Sequence, residues 1–346
     1  MRSALAIGVA IAICCGGARA GADEPPAIKA VVDGRFPVAG AAGGGLLPIA
    51  LSQDWSRPLP GISRAVVIVH GYSRNADDYF KSIAALAPDE HTLVVAPQFL
   101  ASEDAAAHSL PDSVLRWKRE AWSGGGDAEG ASPVSSFEAI DGLLLALADH
   151  VRLPDLQTIV LAGFSAGGQL VQRYTAVGQA ADKIEARGIP LHYVVGSPSS
   201  YLYFSDERPL PEGGFGPFAR ASACPNYDGW KYGLAGVLPR YVEPALKDGA
   251  VALERRYAGL DVVYLLGGAD NDPNHPQLDK SCAAEAQGPS RLDRGLAYFA
   301  YLREHNGTAL RQRLWQIPGV AHQHARVFAS LCGRAALFGV PGCPDS

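Results

Sequence analysis

The segment Gly163-Phe164-Ser165-Ala166-Gly167-Gly168 follows a β-branched run, Thr158–Ala162, and precedes a stretch carrying Leu170, Val171 and Tyr174 at helical spacing. A serine hydroxyl is a weak nucleophile and reacts only when its oxygen stands clear of the chain with a base in reach. A sharp strand-to-helix bend achieves this. The bend strains the serine backbone and crowds the residues two positions to either side, so both must be small. Gly163 and Gly167 meet that need. The backbone N–H of Ala166, first in the following helix, then faces the oxyanion that forms when a serine attacks a carbonyl.

A nucleophile at such a bend needs a sheet beneath it. The chain alternates short apolar runs with amphipathic stretches, the pattern of βαβ units around a mainly parallel sheet. Strands are expected at Ile28–Val32, Leu46–Leu51, Ala65–Val69, Thr92–Ala96, Thr158–Ala162, His192–Val195, Val262–Leu266 and Arg313–Ile317. Most are near-continuous hydrophobic runs, as befits strands covered on both faces. Ser135 and Glu138 form a capping box ahead of Phe137, Ile140, Leu144, Leu147 and Val151. Ser290 precedes Leu292, Leu296, Phe299 and Leu302, with Gly307 as a stop, and Asn75 opens a helix through Phe80, Ile83 and Leu86. No repeat or low-complexity linker divides the chain, so residues 21–346 read as one domain. Two long insertions interrupt it, at about 101–133 with Trp117 and Trp122, and at about 203–249, rich in Pro, Gly and aromatics. Such insertions often serve as covers or binding loops, and Tyr201, Tyr203, Phe204, Phe215, Phe218 and Trp230 are candidates for a substrate cover.

At the end of Ala65–Val69 stands His70-Gly71-Tyr72-Ser73-Arg74-Asn75-Ala76-Asp77, and after Val262–Leu266 comes the loop Asp270–Cys282. A strand followed by His70-Gly71, the bend at Ser165, a late acid and a C-terminal histidine together resemble the α/β-hydrolase superfamily over essentially the whole chain after residue 20. The fuller segments are similar to a group of exported bacterial serine hydrolases and esterases of undefined substrate. The resemblance implies the α/β-hydrolase fold, with a mostly parallel central sheet and helices on both faces. It also implies that the Tyr72 N–H joins that of Ala166 in an oxyanion hole, with Gly71 allowing close backbone approach and His70 structural. The acid belongs after the next-to-last core strand, where Asp270 follows Gly267-Gly268-Ala269 and Asp272 is the alternative. The base belongs after the last strand, where Pro318-Gly319-Val320-Ala321-His322-Gln323-His324 makes His322 the candidate. The order Ser165, Asp270, His322 is the superfamily's chain order. Asp270, Asp272 and Asn274 alternate as in a calcium loop, but His275 stands where the turn glycine belongs and no Glu stands twelfth.

Composition bounds what else the chain can be. Hydrophobic residues are 48%, charged residues 19% and the formal net charge is −5, an ordinary globular balance without the basic footprint nucleic acid requires. Arg2, an apolar run from Ala4 to Cys15 and Ala18-Arg19-Ala20 read as a signal peptide cut after Ala20. About 12 apolar residues fall short of the roughly 20 that span a bilayer, so no stable membrane insertion is expected. Cys224, Cys282, Cys332 and Cys343 remain, an even number in an exported, periplasmic or secreted chain, which favours two disulfides among three connectivities. Cys332 to Cys343 would close a short C-terminal loop, leaving Cys224 to Cys282. No pair has the close spacing of a zinc site.

The function expected is that of an exported serine hydrolase acting on small or polymeric carboxylic esters through an acyl-enzyme, with no metal or organic cofactor. An amidase or peptidase with the same triad, or a catalytically silent binding module on this fold, is the alternative.

Overall fold

The computed structural model describes residues 26–119, 121–130 and 133–343. The leader expected at residues 1–20 lies outside them. Eight strands form one sheet: β1 (Gly34–Gly40), β2 (Gly43–Leu51), β3 (Arg64–Val69), β4 (Thr92–Pro97), β5 (Thr158–Phe164), β6 (Leu191–Gly196), β7 (Val262–Gly267) and β8 (Arg313–Ile317). Their order is β1-β2-β4-β3-β5-β6-β7-β8. β1 and β2 form an antiparallel pair, β2 meets β4 antiparallel, and every later pairing is parallel.

The longer helices among the described residues that flank the sheet or close its ends include α1 (Ala76–Ala84), α2 (Ser136–Leu147), α3 (Ala166–Val177), α4 (Ala250–Ala258), α5 (Arg291–Asn306), α6 (His324–Ala329) and α7 (Leu331–Phe338). Strand side chains alternate between faces, so each central strand feeds two cores. Ala65, Val67 and Val69 of β3 join Phe137 of α2 and Leu170 of α3. Val66 and Ile68 join Ile83 of α1 and Phe328 of α6 on the other face. The bend at Ser165 stands at the carboxyl end of β5, in the middle of this sheet, where parallel strands bring their outgoing loops together.

The capping box at α2 forms on both sides: Ser135 Oγ accepts from the Phe137 N–H, and Glu138 Oε2 accepts from the Ser135 N–H. Three expectations about the elements are corrected. Ile28–Val32 is not a strand. Its Ile28 and Val32 N–H groups donate to the side chains of Asp104 and Gln98, each at 3.0 Å, so they have no need of a neighbouring strand. The first strand is instead Gly34–Gly40, an edge strand where Pro37 is tolerated. Val151 leaves the helical stripe because Asp149 caps a turn by accepting from the Val151 N–H, leaving that side chain 77% exposed. The buried face of α5 is Arg291, Arg294, Tyr298, Tyr301 and Leu302, so Leu302 is buried as expected while Leu296 is exposed. Partners decide this. Arg294 donates to the carbonyls of Ser199, Asp279 and Gly288, and Tyr298 Oη accepts from Gln172 Nε2 at 2.9 Å.

The insertions are packed, not draped. Trp122 is buried, stacked on Phe99 at 5.4 Å. Trp230 Nε1 donates to the Gly124 carbonyl at 2.7 Å, tying the two insertions together. Tyr201, Tyr203 and Phe204 are buried against Tyr298, Tyr301 and Tyr257, so they belong to the core and not to a substrate cover. Both disulfides join the cysteines the sequence suggests, Cys224 to Cys282 with Cα atoms 5.9 Å apart and Cys332 to Cys343 at 4.4 Å. The first closes 58 residues, so in the chain-entropy account replacing Cys224 and Cys282 by Ser costs about 4 kcal/mol. Urea unfolding of the double variant beside the parent checks this, and an unchanged midpoint would contradict it. Among the described residues, no helix is long and apolar enough to cross a membrane.

Candidate active site

The bend itself shows why its glycines are required. A Cβ on Gly163 would stand 2.3 Å from the Gly167 carbonyl oxygen, and one on Gly167 would stand 2.3 Å from the Val69 oxygen and 2.5 Å from the His70 oxygen. No side chain fits either place. Ser165 is held at φ 59° and ψ −120°, a strained backbone for any residue with a Cβ. Its N–H donates to the Gly196 carbonyl at 2.8 Å, which anchors the bend to β6.

Beside it lies the loop after β3. A Cβ on Gly71 would be 3.5 Å from Ser165 Cβ and 2.8 Å from Tyr79 Oη, so this backbone runs directly against Ser165. Ala166 begins α3, and Tyr72 lines the same cleft as Ser165. His70 is fully buried. Its Nδ1–H donates to the Gly71 carbonyl at 2.8 Å and its Nε2 accepts from the Phe99 N–H at 2.9 Å, so both ring nitrogens are committed to holding the loop. Burial lowers its pKa to about 4.

His322 and Asp270 meet. The imidazole Nδ1–H donates to Asp270 Oδ2 at 2.7 Å, with both side chains nearly buried, at 8% and 4% exposure. That bond leaves Nε2 of the neutral ring as the proton acceptor. Asp272 is exposed and accepts from the Asn274 N–H at 2.8 Å, a turn within its own loop. Ser165 and His322 line one shallow cleft of about 150 Å³, with Tyr72, Ser73, Asn75, Tyr79, Gln277 and His324. No hydrogen bond joins the Ser165 hydroxyl to His322 among the described residues.

Four neighbours of the site were not singled out as functional from the sequence. Tyr79 reaches into the cleft from α1 and stacks on His324 at 3.9 Å. Burial raises the pKa of its phenol and lowers that of His324 to about 4, so both rings stay neutral near pH 7. His275 meets the His322 ring edge-on at 5.4 Å. Arg291, fully buried behind Asp270, has Nη1 at 3.6 Å from Asp270 Oδ1. Gln277 completes the rim. Helical spacing from Asn75 to Tyr79, and the place of Arg291 just after the Ser290 cap, were the available signals, but both read as ordinary helix positions.

Burial lowers the His322 pKa below its ordinary 6.5. The hydrogen bond to Asp270 opposes this, while the Arg291 and His275 side chains reinforce it. A base works only when neutral, and a lowered pKa keeps the ring neutral to lower pH. With His322 as the base that the sequence suggests, the acid limb of kcat/KM for a short ester is therefore expected to have its midpoint below pH 6.5, with activity falling about tenfold per pH unit below it. A pH profile with that midpoint above 6.5 would contradict the assignment of His322.

A mainly parallel eight-stranded sheet, helices on both faces and a serine on a strained bend after the central strand make up the α/β-hydrolase fold. Solved structures similar to this fold include two bacterial proteins. Poly(aspartic acid) hydrolase-1 from Sphingomonas sp. KT-1 is similar over 89% of this chain and 99% of its own, at 21% identity and a TM-score of 0.59. LpqC, a poly(3-hydroxybutyrate) depolymerase from Bordetella parapertussis, is similar over 90% and 92%, at 21% identity and a TM-score of 0.57. The sequence matches no protein-family model and no curated protein.

Proposed function

We propose that this chain is an exported serine hydrolase that cleaves carboxylic esters through an acyl-enzyme. Ser165 Oγ attacks the acyl carbon as His322 Nε2 takes its proton, and Asp270 holds the Nδ1–H tautomer and offsets the imidazolium charge. The N–H groups of Tyr72 and Ala166 receive the oxyanion. Collapse of the tetrahedral intermediate expels the alcohol, which leaves with the proton from His322. Water, deprotonated by the same imidazole, then attacks the acyl carbon and frees the acid and Ser165. The Ser165–His322 hydrogen bond forms when substrate fills the cleft, since catalytic hydrogen bonds are often long before substrate binds.

The observation that carries this reading is a buried 2.7 Å His–Asp pair on the rim of the cleft that holds a serine on a strained bend. Two disulfides support export. Both solved neighbours are named for a polymer they act on, and a polymeric ester is within the proposal beside a small one. The test is a fluorophosphonate probe with the adduct located by peptide mass, run beside turnover of matched acetate esters and peptide amides. Labelling at Ser165 with esters turned over faster is the expected result. Amides cleaved faster would make it an amidase, and an active protein that escapes labelling would remove Ser165 from the reaction.

A further inference from the structure

The cleft at Ser165, about 150 Å³, holds little beyond the reacting group. Against it, sharing Ser73 and Asn75, lies a second cavity of about 380 Å³ between the first turn of α1 and the segment 26–30. The second cavity is of the size usual for a small-molecule site, which the cleft at Ser165 is not.

The outer wall of this cavity is fastened, although it has no regular structure. Arg74 Nη2 donates to the Pro26 carbonyl at 3.3 Å, the Ile28 N–H donates to Asp104 Oδ1 at 3.0 Å, and Gln98 Nε2 donates to the Ala30 carbonyl at 3.1 Å. Asp104 is buried and also takes Arg74 Nε at 2.5 Å and Nη2 at 2.9 Å. Arg74 lies three residues beyond Gly71, and its carbonyl accepts from Gln98 Nε2 at 2.9 Å. One buried cluster therefore fixes both the loop beside Ser165 and the far wall of the second cavity. A cavity held open in this way is preorganised for a ligand.

The facing wall is acidic. Asp77 and Asp78 line it together with Lys29, and Lys81 pairs with Asp77 beside it. Lys81 holds Oδ2 of Asp77 at 3.3 Å and Asn75 holds Oδ2 of Asp78 at 2.8 Å, which leaves the second oxygen of each carboxylate for another donor. An arm ending in a carboxylate would meet two like charges there, while hydroxyl or ammonium groups would meet acceptors.

We propose that this second cavity binds the arm of the substrate that extends away from the scissile ester, an arm that carries hydrogen-bond donors and no carboxylate. The inference rests on the serine-hydrolase reading and adds the substrate class. Its rival is that Asp77 and Asp78 only complement the dipole at the start of α1.

The experiment measures kcat/KM for p-nitrophenyl esters of acetic, hexanoic, 6-hydroxyhexanoic, 6-aminohexanoic and adipic acids, the last as its monoester. A second set carries the same arms on the alcohol side of an acetate. In one set the hydroxyl and amino arms are expected to exceed acetate at least tenfold, and to exceed the carboxylate arm at least tenfold at low salt. Ala27→Trp, which fills the cavity from its fastened wall, should bring the ratio of long to short substrates toward one. Ala30→Trp supplies the same measurement from a different point, and thermal unfolding verifies that each variant is folded. In Asp77→Asn and Asp78→Asn the preference for ammonium over carboxylate should shrink severalfold. Equal rates across both sets, a preference for the carboxylate arm, or a long-to-short ratio unmoved by both tryptophans would overturn the proposal. Absence of turnover with every ester and of any adduct at Ser165 would instead sink the serine-hydrolase reading, and this inference with it.

Discussion

Ser165→Ala is expected to abolish the fluorophosphonate adduct and to lower kcat for a short ester by roughly a million-fold, the loss seen when a triad serine is deleted from a hydrolase of this mechanism. The variant isolates one atom. Alanine keeps the Cβ, so the strained φ of 59° and the contacts of the bend are unchanged, and the close approaches at Gly163 and Gly167 involve only backbone. Stability should therefore stay within about 1 kcal/mol of the parent. Residual turnover of roughly a thousand-fold or more over water is expected to remain, because the oxyanion hole proposed at the N–H groups of Tyr72 and Ala166 is untouched by the substitution. Adduct mapping and steady-state kinetics on the same preparation check both parts. A labelled Ser165→Ala protein would place the nucleophile elsewhere.

Signals in the sequence were readable where short-range chemistry decides. The capping box of Ser135 and Glu138, the cap at Ser290 and the bend around Ser165 each depend on residues within about four positions, and local hydrogen bonding or sterics set them. The β-branched runs of β3, β4 and β5 are buried on both faces, so a bare hydrophobic run sufficed to find them. Long-range pairing defeated the other readings. Ile28–Val32 has a strand's composition, but Asp104 and Gln98, more than sixty residues away, claim its N–H groups. On α5 Leu302 is buried as expected, but Leu296 gave way to two arginines, of which Arg291 Nε reaches the Ser199 hydroxyl and Arg294 Nη1 the Ser199 carbonyl. The aromatics after Tyr201 resembled a cover because nothing local reveals that Tyr298 and Tyr301 wait beneath them. In the site, Asp270 and His322 could be named through a resemblance in chain order. Tyr79, His275 and Arg291 could not, since their proximity to the cleft is a property of the assembled sheet.

Asp270→Asn should lower kcat by roughly ten-thousand-fold while leaving the outline of the cleft unchanged. The carboxylate now accepts the His322 Nδ1–H at 2.7 Å, which leaves Nε2 free to receive a proton. An asparagine that presents its amide N–H to Nδ1 reverses this, placing the ring proton on Nε2, which can then no longer receive the serine's own. A second consequence comes from Arg291, whose buried guanidinium lies 3.6 Å from the carboxylate. Burial already lowers its pKa to about 10 with Asp270 in place. Removing the anion leaves that cation uncompensated, a change that typically costs about 3–5 kcal/mol when one partner of a buried pair is lost. Loss of activity could therefore be mistaken for unfolding. The two separate if adduct formation and turnover are measured well below the variant's own unfolding midpoint, where the protein is folded and only the tautomer differs. Asp272→Asn supplies the contrast: its side chain is exposed and bonded within its own turn, so its kinetics should stay within a few-fold of the parent. A larger loss in Asp272→Asn than in Asp270→Asn would move the acid to Asp272 and leave the buried pair a structural feature.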